Sequence, residues 1–212
     1  MQVDLKVVQL LSSRLCHELV GPAGAVQNGI ELFEEMGSDE GEKALKIVAS
    51  SGEQLSARLA FFRLTFGLGG LIGSKSPLAE AHDLTHAFLA GSRISLDWPL
   101  EIRENIGDTI TSLTVKLLLN MILVAIDGIP RGGVLKISLE RAVNTQGEPA
   151  ICIVVNASGA GACLNEGLQF ALSSENFSQA EQGLNAYNIH GFFCQRLAEE
   201  QLSTVEFSLL QD

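Results

Sequence analysis

His17 is the residue of this sequence best placed to do chemistry. On a helical wheel at about 100° per residue, Val8 and Val26 fall about 180° from it, and Leu15, Leu19 and Phe33 lie within about 20° of that direction. The imidazole therefore points away from the apolar stripe that a helix through this segment would bury. Its own face carries Ser13, Gly21, Gly24 and Asn28, all small. Each glycine inside a helix costs about 1 kcal/mol relative to alanine. Pro22 removes a backbone hydrogen bond and kinks the helix, at about 3 kcal/mol or more. Local rules are broken where something other than stability is wanted. A neutral imidazole offers a lone pair at physiological pH. Periodicity alone is equally compatible with an ordinary surface histidine beside a proline kink, with Glu18 as a solvated charge.

The remaining candidates are weaker. His82 and His86 stand four apart, as a metal pair would, but no third ligand stands out beyond Asp83, against the three or four a zinc site needs. His190 and Cys194 share the same spacing and read as packing. Gly159 to Gly161 resembles a phosphate cradle, yet lacks a flanking acid. The four cysteines, Cys16, Cys152, Cys163 and Cys194, form no CxxC pair and read as small buried hydrophobes in a reducing compartment.

The elements that must position His17 follow from periodicity. Leu5, Val8, Leu11, Leu15, Leu19, Val26, Ile30 and Phe33 mark one long helix; Gly37 stops it, and Ser38-Asp39-Glu40 caps the next. Leu45, Val48, Leu55, Leu59, Phe62 and Phe66 mark a second helix, which ends at Gly67. Each is roughly thirty residues, about 45 Å long at 1.5 Å per residue. A hairpin of this kind buries one stripe and completes its core by pairing with another, so a homodimeric four-helix bundle is expected. A Gly/Ser-rich linker ending at Pro77 sets the boundary between residues 1–74 and 75–212.

The second unit reads as α-β-α-β-β-α-β. Helices fall at Leu78–Phe88, Thr109–Ile126 and Asn188–Gln201, and strands at Arg93–Trp98, Val134–Leu139, Ile151–Val155 and Thr204–Leu209. Ile151–Val155 has the unbroken apolar character of a buried central strand, and Gly147-Glu148-Pro149 that of a hairpin turn. The fold class is α+β, a helical hairpin followed by an α/β sandwich.

Charge narrows the functions. Residues 1–75 hold nine acidic and seven basic residues; residues 76–212 hold sixteen and seven. A net charge of −11 disfavours nucleic acid and anionic membranes as partners. Asp4 and the lack of a long apolar core argue against a signal peptide. The longest apolar stretch, Leu117 to Ile126, is broken by Asn120 and too short for a membrane span. A cytoplasmic protein is expected.

The string His17-Glu18-Leu19-Val20-Gly21-Pro22 resembles the phosphoacceptor box of two-component histidine kinases, His-Glu-Leu-Arg-Thr-Pro, with four residues in register. Those kinases carry the box on the first helix of a dimeric hairpin and follow it with an ATP-binding α/β sandwich. Here the nucleotide boxes are degenerate. Asn120-Met-Ile-Leu-Val124-Ala125 stands in the N box, with Val124 in place of the asparagine that holds Mg²⁺. Ala157-Ser158-Gly159-Ala160-Gly161 stands where the next box begins with the aspartate that reads adenine. Only a remnant of the last box survives, at Gly183-Leu184. Mg²⁺ needs oxygen ligands, which valine cannot offer. This combination is similar to the ChpT-type histidine phosphotransferases, shuttles in a cell-cycle phosphorelay.

The resemblance implies that His17 takes a phosphoryl group from a receiver-domain aspartate through Nε2 and passes it to a second receiver. The partners implied are receiver domains of a hybrid histidine kinase and of response regulators, of the CckA, CtrA and CpdR kind. Mg²⁺ would reside in the receiver, so no cofactor, ATP or metal is expected in this chain. Glu18 would accept a hydrogen bond from the other ring nitrogen, Arg14 would balance phosphoryl charge, and Ser13, Gly21, Gly24 and Asn28 would form the dock. The alternatives are an active kinase with an atypical ATP site and a non-catalytic receiver-binding scaffold.

Overall fold

The computed structural model describes residues 5–36, 38–67, 76–99, 110–143, 147–174 and 182–209. Helix α1 spans Leu5–Met36 and α2 spans Ser38–Phe66, packed against each other as a hairpin. The stop expected at Gly37, the cap side chains of residues 38–40 and most of the linker lie outside the described residues. Helix α1 runs without a break through Gly21, Pro22 and Gly24. Pro22 leaves the carbonyl of Glu18 without its usual donor four residues on. Gly29 lets the two helices pack closely: a Cβ there would lie 2.7 Å from Val48 Cγ2.

Helix α3 (Pro77–Leu89) starts as expected, with Pro77 in its first turn and the Ser76 hydroxyl accepting from Ala79 N–H at 3.3 Å. Strand β1 (Ile94–Asp97) follows, then α4 (Ser112–Asp127), capped by Thr111. Strands β2 (Gly133–Val143) and β3 (Pro149–Ser158) form an antiparallel hairpin in register Val134↔Ser158 through Val143↔Pro149. Strand β1 lies parallel to β2, giving the order β1-β2-β3. Helices α5 (Glu166–Ser173) and α6 (Ile189–Glu199) complete the described elements.

Helices α3 and α4 cover one face of the sheet. Leu135, Ile137 and Leu139 of β2 are buried against Leu78, Ala81, Leu118, Ile122 and Leu123. The C-terminal end of α2 joins the same core, with Phe61 stacked on Phe88 at 4.3 Å. The hairpin is thus fused to the α/β unit, and the class is α+β.

Four expectations are corrected. Ile151–Val155 is half-buried and alternating, because the helices cover only one face of the sheet: Ile151, Ile153 and Val155 face the core while Cys152 and Val154 face out. Thr204–Leu209 is not a strand. Leu202, at φ 54°, turns the chain back at the end of α6, with Leu202 N–H bonded to Glu199 O and Ser203 N–H to Ala198 O. Val205 then packs beside Cys194 and Leu197 and donates its N–H to Gln195, away from the sheet edge. Helix α5 was not anticipated. Of the cysteines only Cys194 is buried, and burial pushes its thiol up to about 12; Cys16, Cys152 and Cys163 are exposed.

Candidate functional site

His17 is exposed on α1. Around it Ser13, Gly21, Gly24 and Asn28 are exposed as well, and a Cβ at Gly21 or Gly24 would meet nothing within 4 Å. The surface on which the imidazole stands is therefore low and open.

The charged neighbours are organised differently from expectation. Arg14 does not face solvent beside the imidazole: it is 6% exposed, and its Nη2 lies 3.1 and 3.2 Å from the two carboxylate oxygens of Asp127, at the end of α4. The same nitrogen is 3.3 Å from Glu18. Glu18 in turn accepts from Arg58 of α2 at 2.5 Å. The Glu18 carboxylate is thus taken up by two arginines, and its expected bond to the ring of His17 is replaced by these ion pairs.

Fully buried His190, on α6, brings Nε2 within 3.2 Å of Asp127, though off the angle of a hydrogen bond. Burial alone would raise the Asp127 pKa. His190 and then Arg14 outweigh it and hold the carboxyl below its ordinary value. Arg58, Glu18, Arg14, Asp127 and His190 thus form one polar chain from α2 through α1 to α4 and α6. Apolar packing accompanies it: Val7, Leu10 and Leu11 of α1 lie against Leu184, Ile189 and Phe192.

The group that does meet His17 comes from the second unit. Tyr187, just before α6, sets its hydroxyl 3.2 Å from His17 Nε2, with the rings edge to face at 5.3 Å. Tyr187, Asp127, Arg58 and the role of His190 were all missed from sequence. Only Tyr187 carried a signal, as the single tyrosine of the chain.

The positions that resemble nucleotide boxes have packing roles. Asn120 is fully buried, and its Nδ2 donates to Lys116 O at 2.8 Å and Thr65 O at 3.4 Å. Val124 packs with Leu117, Leu172 and Cys194, and Ala157 against the sheet core. Gly159 is explained by close backbone approach, since a Cβ there would lie 2.2 Å from Gly132 O. Gly161, at φ 73°, makes a turn. His82 has Nδ1 3.3 Å from Asp83 and its ring edge-to-face with Trp98. Among the described residues no group of three or more His, Cys, Asp or Glu side chains could hold a metal ion. Nor is any helix of those residues long and apolar enough to cross a membrane.

Comparison with known proteins places this geometry. Residues 78–212 match the family model for the histidine phosphotransferase C-terminal domain. The chain is 33% identical over 191 residues to protein phosphotransferase ChpT of Brucella abortus (strain 2308), covering 90% of this chain and 84% of that protein. A solved structure of a bacterial phosphotransferase superposes with a TM-score of 0.68 at 28% identity, over 94% of this chain and 89% of the other. With family model, sequence and fold in agreement, the chain belongs to the ChpT-type histidine phosphotransferases.

Proposed function

We propose that His17 is the phosphoacceptor and that this phosphotransferase works within a two-component phosphorelay, between receiver domains. The observation that carries the reading is the open surface around an exposed imidazole, with Gly21 and Gly24 leaving room for a second protein to approach the ring. Nε2 attacks the phosphorus of an aspartyl phosphate. The N–P bond forms as the P–O bond breaks, and its electron pair stays on the receiver's carboxylate. The receiver supplies Mg²⁺, and this chain supplies a nucleophile and its position. Transfer to a second receiver runs the same step in reverse.

Val124 and Ala157, packed into apolar surroundings, support a chain that draws its phosphoryl group from a receiver rather than from ATP. The hairpin also supports a homodimer. Leu5, Val8, Ile30 and Phe33 of α1 and Leu45 and Leu59 of α2 are 42–70% exposed in a single chain, a stripe that a second hairpin would cover in a four-helix bundle.

The test is incubation with labelled phospho-receiver, and separately with labelled ATP and Mg²⁺, of the wild type and His17→Ala. Label should pass from the receiver to the wild type alone. Rapid labelling from ATP would favour a kinase, and binding without transfer would favour a scaffold.

A further inference from the structure

Resting on the role of His17 just proposed, we infer that Tyr187 is a positioning residue for that reaction. Its hydroxyl donates to His17 Nε2, keeps the ring proton on Nδ1, and so reserves Nε2 as the unprotonated nitrogen until a docking receiver displaces it.

Tyr187 lies 170 positions from His17, on the other unit, yet its hydroxyl stands 3.2 Å from Nε2. The turn that carries it is firmly built. Asn185 Oδ1 accepts from Tyr187 N–H at 2.8 Å, and Asn188 Oδ1 accepts from Asn185 N–H at 2.8 Å. Asn188, itself buried, donates Nδ2 to Gly183 O at 3.0 Å and Gly167 O at 3.1 Å. The next residue, Ile189, is fully buried in the cluster that includes Val7, Leu10 and Leu11 of α1. The backbone of Tyr187 is thus fixed relative to α1, while its side chain remains 60% exposed. So exposed a ring contributes little by burial; its contact with the imidazole is what the turn achieves.

The chemistry gives such a group a use. Neutral imidazole carries one proton on two nitrogens, and the partner of one nitrogen decides which holds it. The neighbouring carboxylate, Glu18, is occupied by Arg14 and Arg58. A hydroxyl donor at Nε2 favours the Nδ1–H tautomer, the form that can attack from Nε2. A single hydrogen bond at an exposed site is cheap to break when the receiver arrives. In the step itself Tyr187 keeps its proton. The Nδ1 proton stays on the ring through N–P bond formation and then leaves to water.

The test is Tyr187→Phe in the full chain, read in two ways. Long-range ¹H–¹⁵N correlation spectra of the histidine rings should show the Nδ1–H form of His17 in the wild type and a shift toward Nε2–H in the variant. The maximal rate of transfer from phospho-receiver should fall about fivefold, the worth of one hydrogen bond, with the half-saturating receiver concentration unchanged. Tyr187→Ala should repeat both effects. Nε2–H in the resting wild type, or variants with unchanged tautomer and rate, would overturn the inference. A wild type that takes no label would instead sink the phosphoacceptor reading, and the resting tautomer would still decide the role of Tyr187.

Discussion

Arg14 and Asp127 stand 113 positions apart, yet the guanidinium of one reaches both carboxylate oxygens of the other at 3.1 and 3.2 Å. Arg14 is three residues before His17, on the helix that carries it; Asp127 ends the first long helix after β1. The pair therefore ties the proposed phosphoacceptor helix to the unit that presents Tyr187.

Asp127→Ala should loosen this tie. It leaves Arg14 and His190, both under 10% exposed, without the carboxylate they share. Removing one partner of a buried ion pair costs about 3–5 kcal/mol. Because Asp127 is itself 25% exposed, a loss of about 2–3 kcal/mol is expected, measured by chemical denaturation. A midpoint unchanged from wild type would show that apolar packing alone holds the units together.

The same pair sets a pH dependence. The folded pKa of Asp127 is lowered, so its contribution to stability is present above the ordinary carboxylate range and is lost as pH falls through the folded value. Between neutral pH and about pH 3 the wild type should lose stability more steeply than Asp127→Asn. Parallel curves would remove Asp127 from the acid response.

The surface near His17 should tolerate bulk without tolerating function. A Cβ at Gly21 or Gly24 meets open space, and replacing a helical glycine with alanine or leucine gains up to about 1 kcal/mol. Gly21→Leu and Gly24→Leu should therefore melt at or above the wild-type temperature, yet accept phosphoryl at least about tenfold more slowly, a loss of about 1.4 kcal/mol in the docked transition state. Wild-type transfer rates in both variants would move the dock elsewhere.

Leu202 holds a left-handed conformation at the end of α6, where glycine is the usual residue. Leu202→Gly relieves a strain of about 1–2 kcal/mol, less the entropy that glycine adds to the unfolded chain. A small rise in melting temperature is expected. A fall would mean that the exposed Leu202 side chain contributes to packing.

Much of the frame was legible in the sequence because it depends on local rules. The wheel placed His17 opposite the apolar stripe, and the structure exposes it. Pro77 marked the start of α3, and the helix expected to run to Ile126 ends at Asp127. The failures have physical causes. Val154 and Cys152 face solvent while being apolar, so a strand buried on one face read as buried on both. The short helix α5 has a glycine at its second position, which masked the cap at Asn165. Arg14 looked free because nothing local shows a partner 113 residues away. Tyr187 is beyond any periodicity for the same reason, and its contact with His17 exists only once the units pack.

In the proposed relay phosphoryl enters and leaves this chain through His17. The most direct measurement follows label from a phosphorylated receiver onto the chain and then onto a second, unphosphorylated receiver, in wild type and His17→Ala. Acid-labile label is expected on the wild type, passed onward when the second receiver is added, and none on a folded His17→Ala. Equal labelling of the variant would contradict that route.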